Sequence, residues 1–294
     1  MKPRIIITGA HGRLGAALAR EWAAAGHNVT GFGRHELDIA NAAAISAKLD
    51  AEDFAVLVNC AAQTNVDRCE TESAEAFDLN AAAPTIMADA CRRKGARMIH
   101  ISTDYVFDGA KIGAYSEDDP AVPISIYGAS KRAGESGVLT ATEGSGLVVR
   151  VSWVFGPDRP SFVDQIVKNA CEKTEVAAIA DKIAVPTYTL DAATLLQPFL
   201  FDVKAGGLLH LCNGGSCSWQ EYGQWALDCA AEAGADLKAR TVAPLKMADL
   251  KAFIAKRPPN TAMSTDRLTA LTGLQPRPWR EAVRQHIATL YSKT

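Results

Sequence analysis

Tyr127 and Lys131, in the run Tyr127-Gly-Ala-Ser-Lys131, are four residues apart, so on a helix they share one face. A free phenol titrates near pH ~10 and is a reluctant acid or base at neutrality. An ammonium beside it stabilises the phenolate and lowers that value, each pH unit corresponding to about 1.4 kcal/mol. The lysine can also hydrogen-bond the ribose of a nicotinamide, which ties the proton donor and the hydride donor to one geometry. Positioned acid–base groups typically contribute ~10²–10⁴ in rate. The strand-end run Ser102-Thr103-Asp104 supplies hydroxyls that can polarise a substrate carbonyl.

Upstream lies Thr8-Gly-Ala-His-Gly-Arg-Leu-Gly15, with glycines at 9, 12 and 15. It follows the apolar run Arg4–Thr8 and precedes an alanine-rich helix. Glycines in such a turn allow backbone N–H groups to approach a pyrophosphate, and the helix N-terminus adds a favourable dipole. Each motif alone is unspecific. In this order they imply hydride transfer to or from a carbonyl. NAD-specific sites usually carry an acidic residue ~20 residues beyond the fingerprint. Here Gly31-Phe-Gly-Arg34 has no carboxylate, and Arg34, assisted by Arg13, suits a 2′-phosphate. NADPH is therefore expected, with NADH as the alternative, and Asp38-Ile39 flanking the adenine.

These residues need a scaffold, and the first half of the chain alternates buried strands with helices. Strands are expected at 4–8, 27–32, 55–59, 98–102 and 147–152. Helices are expected at 13–25, 41–50, 73–94 and 126–139. Such alternation implies an α/β fold, a Rossmann-type doubly wound parallel sheet covered on both faces. Thr8, Asn59 and Ser102 end their strands, where ligands of these sheets bind. After Trp153, prolines 157, 160, 186 and 198 interrupt the pattern. Short strands (176–180, 208–211) and helices (162–172, 190–201, 218–233, 279–291) suggest a smaller C-terminal α/β substrate lobe. The expected division is 1–152 for the NAD(P)-binding domain and 153–294 for the lobe, with chain free to cross between them.

The 294 residues are 48% hydrophobic with a net charge of −2, enough for a sizeable core and without the basic excess of a nucleic-acid partner. No stretch approaches the ~20 apolar residues of a membrane span, and the start is too short an apolar run for a signal peptide. A soluble, cytoplasmic protein is expected. The seven cysteines, scattered and odd in number, suggest buried thiols, not a disulfide framework or a zinc site.

Longer runs carry a resemblance. ISTDYVFDG at 101–109 and SWVFG at 152–156 are far more specific than the glycine turn. With them go LDIAN at 37–41, VNCAAQTNVDRCE at 58–70, YSEDDPAVPISIYGASKRAGE at 115–135, ADKIAVPT at 180–187 and KRPPNTAMS at 256–264. Over essentially its full length the chain resembles the dTDP-4-dehydrorhamnose reductase family of the extended short-chain dehydrogenase/reductases. The resemblance implies an oxidoreductase of dTDP-rhamnose biosynthesis that reduces the C4 ketone of a nucleotide sugar with NAD(P)H. It implies a catalytic triad at Thr103, Tyr127 and Lys131. Cofactor contacts would fall at Gly9, His11, Gly12, Arg13, Leu14, Asp38, Ile39, Ala61, Ala62 and Gln63, and substrate contacts at Val66, Asp104, Tyr105 and Trp153. A homodimer is a further state the resemblance allows.

Some positions depart from the family pattern. Lys182 and Ala184 stand where Gln and Gly are usual, and Thr261 and Met263 alter the R-P-x-N-S-x-L stretch. Some members bind magnesium through glutamates at a dimer interface. Ala16 and Ala17 replace the glutamate expected after the glycine turn, so no metal site is expected. Two other functions compete. Epimerases and 4,6-dehydratases share the triad, but the dehydratases carry an acidic residue where Tyr105 stands. A non-catalytic regulatory subunit of methionine adenosyltransferase would not require the intact triad. The identity of the sugar and nucleotide stays open.

Overall fold

Runs of consecutive apolar residues, not alternating ones, build the central sheet, because both of its faces are covered. The computed structural model describes residues 2–202, 204–250 and 252–291. The first half runs β1 (Arg4–Thr8), α1 (Arg13–Ala24), β2 (Asn28–Phe32), α2 (Ala42–Ala51), β3 (Val56–Asn59), α3 (Val66–Thr71), α4 (Ser73–Phe77), α5 (Ala83–Lys94), β4 (Arg97–Thr103), α6 (Ile126–Ala141) and β5 (Leu147–Val151). The second half adds β6 (Val154–Phe155), α7 (Phe162–Glu172), β7 (Val176–Ile179), β8 (Ile183–Ala184), β9 (Thr187–Tyr188), α8 (Thr189–Leu196), β10 (Gly207–His210), β11 (Cys217–Ser218), α9 (Trp219–Glu232), β12 (Val242–Leu245), α10 (Asp266–Thr272) and α11 (Trp279–Tyr291).

Six parallel strands form the main sheet in the order β2-β1-β3-β4-β5-β10. Strand parity assigns its two faces. Ile5, Ile7, Val56 and Val58 pack with Leu14, Leu18 and Trp22 of α1 and with α8. Ile6 and Leu57 point the other way, onto α2, α5 and α6. The order reverses direction between β1 and β3, which makes their carboxyl ends a topological switch point. Residues beyond 152 contribute to both layers: β10 joins the main sheet beside β5, and Trp22 of α1 donates to the Ala193 carbonyl of α8 at 2.8 Å.

A second core gathers Phe155, Tyr188, Tyr222 and Trp279 among α7, α9 and α11. Helix α9 starts on a capping box, Ser218 with Glu221, which satisfies two otherwise unpaired backbone donors. All seven cysteines are free. Among the described residues no helix is long and apolar enough to cross a membrane.

Several element boundaries differ from the sequence-based expectation. The helix expected over 73–94 is interrupted by a π-helical turn, Asp78–Ala82. There Asn80 is fully buried, and its amide holds both backbone groups of Gln63 (2.9 and 3.0 Å). The helix expected to 201 leaves α geometry at Leu196 and continues as a 3₁₀ turn, Gln197–Phe199, where Pro198 lacks the N–H an α-helix needs. Helices α3 and α10 and strand β12 were not anticipated.

Candidate active site

The carboxyl ends of β1, β3, β4 and β5 open into one cleft of about 690 Å³. Every candidate side chain lines it: Gly9, His11, Gly12, Arg13, Leu14, Arg34, Asp38, Ile39, Ala61, Ala62, Gln63, Val66, Thr103, Asp104, Tyr105, Tyr127, Lys131 and Trp153.

One wall is the glycine turn. Gly9 has φ +67°, and a Cβ there would lie 2.7 Å from the backbone nitrogen of Ala61. Any larger residue would drive apart the two loops that meet at the switch point. The open backbone cradle and the α1 N-terminus fit a dinucleotide pyrophosphate. Arg13 is held on its Nε and Nη2 sides, where the guanidinium donates to the carbonyls of Arg159 and Pro160, and it still lines the cleft. Arg159 in turn donates to the His11 carbonyl at 2.5 Å, and Arg20 pairs with Asp158. The segment 158–160 thus clasps the turn. Arg34 remains available on the rim, its side chain 84% exposed and 4.0 Å from Asp38.

The opposite wall is α6, which starts with Ser125 accepting from the Gly128 N–H (3.2 Å). A Cβ at Gly128 would collide with the Tyr105 carbonyl, so glycine lets α6 lie against the end of β4. Tyr127 faces Tyr105 edge-on, with ring centroids 5.5 Å apart. Burial pushes the phenol of Tyr127 above its ordinary value; the nearby Thr103 hydroxyl opposes this, and Asp104 and Cys69 add to it. Lys131 is buried, and its Nζ donates to the Ile101 carbonyl at 2.7 Å. Burial lowers its pKa to about 8, against the opposing effects of Glu135 and Cys60. Lys131 is therefore turned toward β4, and is not among the groups acting on the phenol.

Of the strand-end hydroxyls, Thr103 faces the phenol, whereas Ser102 donates to Glu135 (2.7 Å), which is paired with the buried Arg150 (2.8 Å). Asp104 is a buried hub: Thr103, Ser152 and Thr261 all donate to it at 2.6–3.0 Å. Both of its oxygens are occupied, so it orients Thr103 more directly than it can contact a ligand. The Thr261 departure retains a hydroxyl for this role. Lys182 does not line the cleft; it lies under Tyr105 and donates to the Pro258 carbonyl at 2.8 Å.

Trp153 has φ +39°, a left-handed conformation rarely adopted by a bulky side chain. It lies in the bend between β5 and β6, lines the cleft, and packs on Trp219 and Tyr222 (centroids 5.5 and 5.8 Å). Sequence reasoning missed Arg159, Arg68 and Cys60 on the cleft wall, and Asn80 behind it. Cys60 directly follows β3, so its place beside the switch point could have been read from the strand end.

A family profile described as the RmlD substrate binding domain matches residues 2–292. The chain is 36% identical over 295 residues to the dTDP-4-dehydrorhamnose reductase of Streptomyces griseus, covering 98% of this chain and 94% of that one. It is 34% identical over 284 residues to the spore coat polysaccharide biosynthesis protein SpsK of Bacillus subtilis, covering 97% and 96%. The crystal structure of dTDP-4-dehydrorhamnose reductase from Bacillus anthracis in complex with NADP superposes with a TM-score of 0.91 at 32% identity, covering 98% of this chain and all of that one. The chain belongs to the RmlD substrate binding domain family, as an NAD(P)-dependent reductase acting on nucleotide-linked sugars.

Proposed function

We propose that the protein reduces the C4 ketone of dTDP-4-dehydro-6-deoxy-L-mannose (dTDP-4-dehydro-L-rhamnose) to give dTDP-L-rhamnose, with NADPH as the preferred cofactor. The observation that carries this reading is the shared cleft: the glycine turn lines one wall, and Thr103, Tyr127 and Lys131 line the other. The reductases named above add support through their similarity over nearly the whole chain.

A reduced nicotinamide supplies the hydride when bound along the glycine turn. Tyr127 delivers the proton to the carbonyl oxygen as charge develops there. Thr103 positions that oxygen by redirecting its hydroxyl, whose proton is otherwise held by Asp104 at 3.0 Å. Lys131 would hold the nicotinamide ribose through its Nζ donors, which ties the hydride donor to the same helix face as the Tyr127 phenol. Because burial raises the Tyr127 pKa, the phenol holds its proton until the oxyanion needs it. Val66, Tyr105 and Trp153 enclose the sugar nucleotide, and Arg34 takes the 2′-phosphate.

The test is NADPH oxidation by purified protein with the 4-keto sugar nucleotide generated in situ. Turnover with the dTDP-linked sugar, exceeding that with UDP- or GDP-linked 4-keto sugars, is the expected outcome. Preferential turnover of another nucleotide would assign a different substrate to the same chemistry.

A further inference from the structure

Behind Lys131 lies a buried polar chain that the reaction as described leaves unused. Thr8 Oγ1 donates to Asn59 Oδ1 at 2.6 Å, Asn59 Nδ2 lies 3.0 Å from His100 Nδ1, and His100 Nε2 lies 3.4 Å from Lys131 Nζ. Asn59 and His100 are cross-strand neighbours on β3 and β4, 1% and 0% exposed. Burial and the Lys131 charge push the His100 imidazole well below its ordinary range, so the ring is neutral and carries one N–H.

The position of that N–H follows from hydrogen-bond polarity. The Ala61 backbone N–H, which can only donate, bonds Asn59 Oδ1 at 3.1 Å. This fixes the amide: Oδ1 faces Thr8 and Ala61, and Nδ2 faces His100. Asn59 Nδ2 can only donate, so His100 Nδ1 must accept. The single imidazole proton is therefore on Nε2, directed at Lys131 Nζ.

We infer that His100 is a positioning residue that sets the protonation of Lys131, through a tautomer that Asn59 fixes. A charged ammonium has only donors, and it meets the Nε2–H donor head-on at 3.4 Å. A neutral amine offers a lone pair there. The contact thus favours the amine and loosens the proton on Lys131, while Ile101 O accepts one N–H of Nζ and orients the group. The other titratable groups facing Lys131 are Cys60 beyond β3, whose thiol burial pushes up to about 12, and Glu135 one turn along α6, which is paired with Arg150 of β5. His100 is the donor opposed to the ammonium. The consequence for turnover rests on the role proposed for Lys131, whereas the tautomer and the lysine titration do not.

The experiment is NMR on the full chain, without substrate. With ¹⁵N-labelled histidine, the wild-type protein is expected to show one histidine held as the neutral Nε2–H tautomer from pH 6 to 8, its signal lost in His100→Gln. With ¹³Cε-labelled lysine, assigned through Lys131→Arg, Lys131 is expected to bind its proton about tenfold more tightly in His100→Gln, whose amide oxygen can face the ammonium. An Nδ1–H tautomer or an imidazolium at His100 would overturn the inference in the wild-type protein alone, whether or not the variant folds. An unmoved Lys131 titration in a folded variant would overturn it as well. Loss of reductase activity towards every sugar nucleotide, with both NMR results as expected, would count against the proposed function and not against this assignment.

Discussion

Lys182 Nζ lies 4.9 Å over the ring of Tyr105, with the Lys182 side chain fully buried. Burial lowers its pKa from 10.5 to about 8, against the attraction of Asp104. The folded state therefore binds fewer protons than the unfolded chain between those values, and stability rises with pH across that window. The penalty of the charge is fully present below pH 8, on the order of 3 kcal/mol as an upper bound. Lys182→Met is expected to flatten the rise. Urea midpoints at pH 7.5 and 9.5 check it; Lys131 titrates in the same range in both proteins, so the difference between them isolates Lys182.

Trp153, at φ +39°, stores about 1–3 kcal/mol of backbone strain. Glycine accepts that conformation, and alanine does not. Trp153→Gly is therefore expected to be at least as stable as Trp153→Ala, reversing the usual glycine penalty of about 0.5–1 kcal/mol in regular structure. Urea denaturation of the two variants decides this.

Arg34→Ala is expected to weaken NADPH binding by about tenfold or more and to leave NADH binding unchanged, since a guanidinium–phosphate contact is charge-assisted. Fluorescence titration with each cofactor measures the ratio.

Asp67 ties the 254–257 segment to α3, accepting from the Ile254 and Ala255 backbone and from Arg257, with N–O distances of 2.8–3.0 Å. The Arg257 guanidinium leads in holding its pKa at about 2, against an ordinary 3.8. A depressed folded pKa contributes stability above pH ~4 that is lost as the pH falls towards 2. Asp67→Asn is expected to cost about 1–2 kcal/mol at pH 7, and progressively less in acid. Paired denaturation curves at pH 7 and pH 3 check the direction.

What was legible in the sequence was local. Gly9, Tyr127 and Lys131 sit in short motifs whose spacing has a physical reason, and the apolar runs of β1 and β3 mark a sheet covered on both faces. What was not legible depends on distant chain. Arg13 showed no local partner until the 158–160 segment supplied carbonyls for its Nε and Nη2 sides. Ser102 looked like a catalytic hydroxyl until α6 brought Glu135 to it. Asn80 gave no motif, because its π turn exists to satisfy a loop seventeen residues upstream. The His100–Lys131 contact joins a strand to a helix thirty-one residues on, and neither carries a local sign of the other.

The most direct measurement is NADPH oxidation by wild type and Tyr127→Phe, with the dTDP-linked 4-keto-6-deoxy sugar generated in situ and NADPH affinity measured alongside. Turnover by wild type, with a loss of at least ~10²-fold in the variant at unchanged NADPH affinity, is the predicted result. A Tyr127→Phe protein that keeps most of the wild-type rate would contradict the account, because the proton would then come from elsewhere.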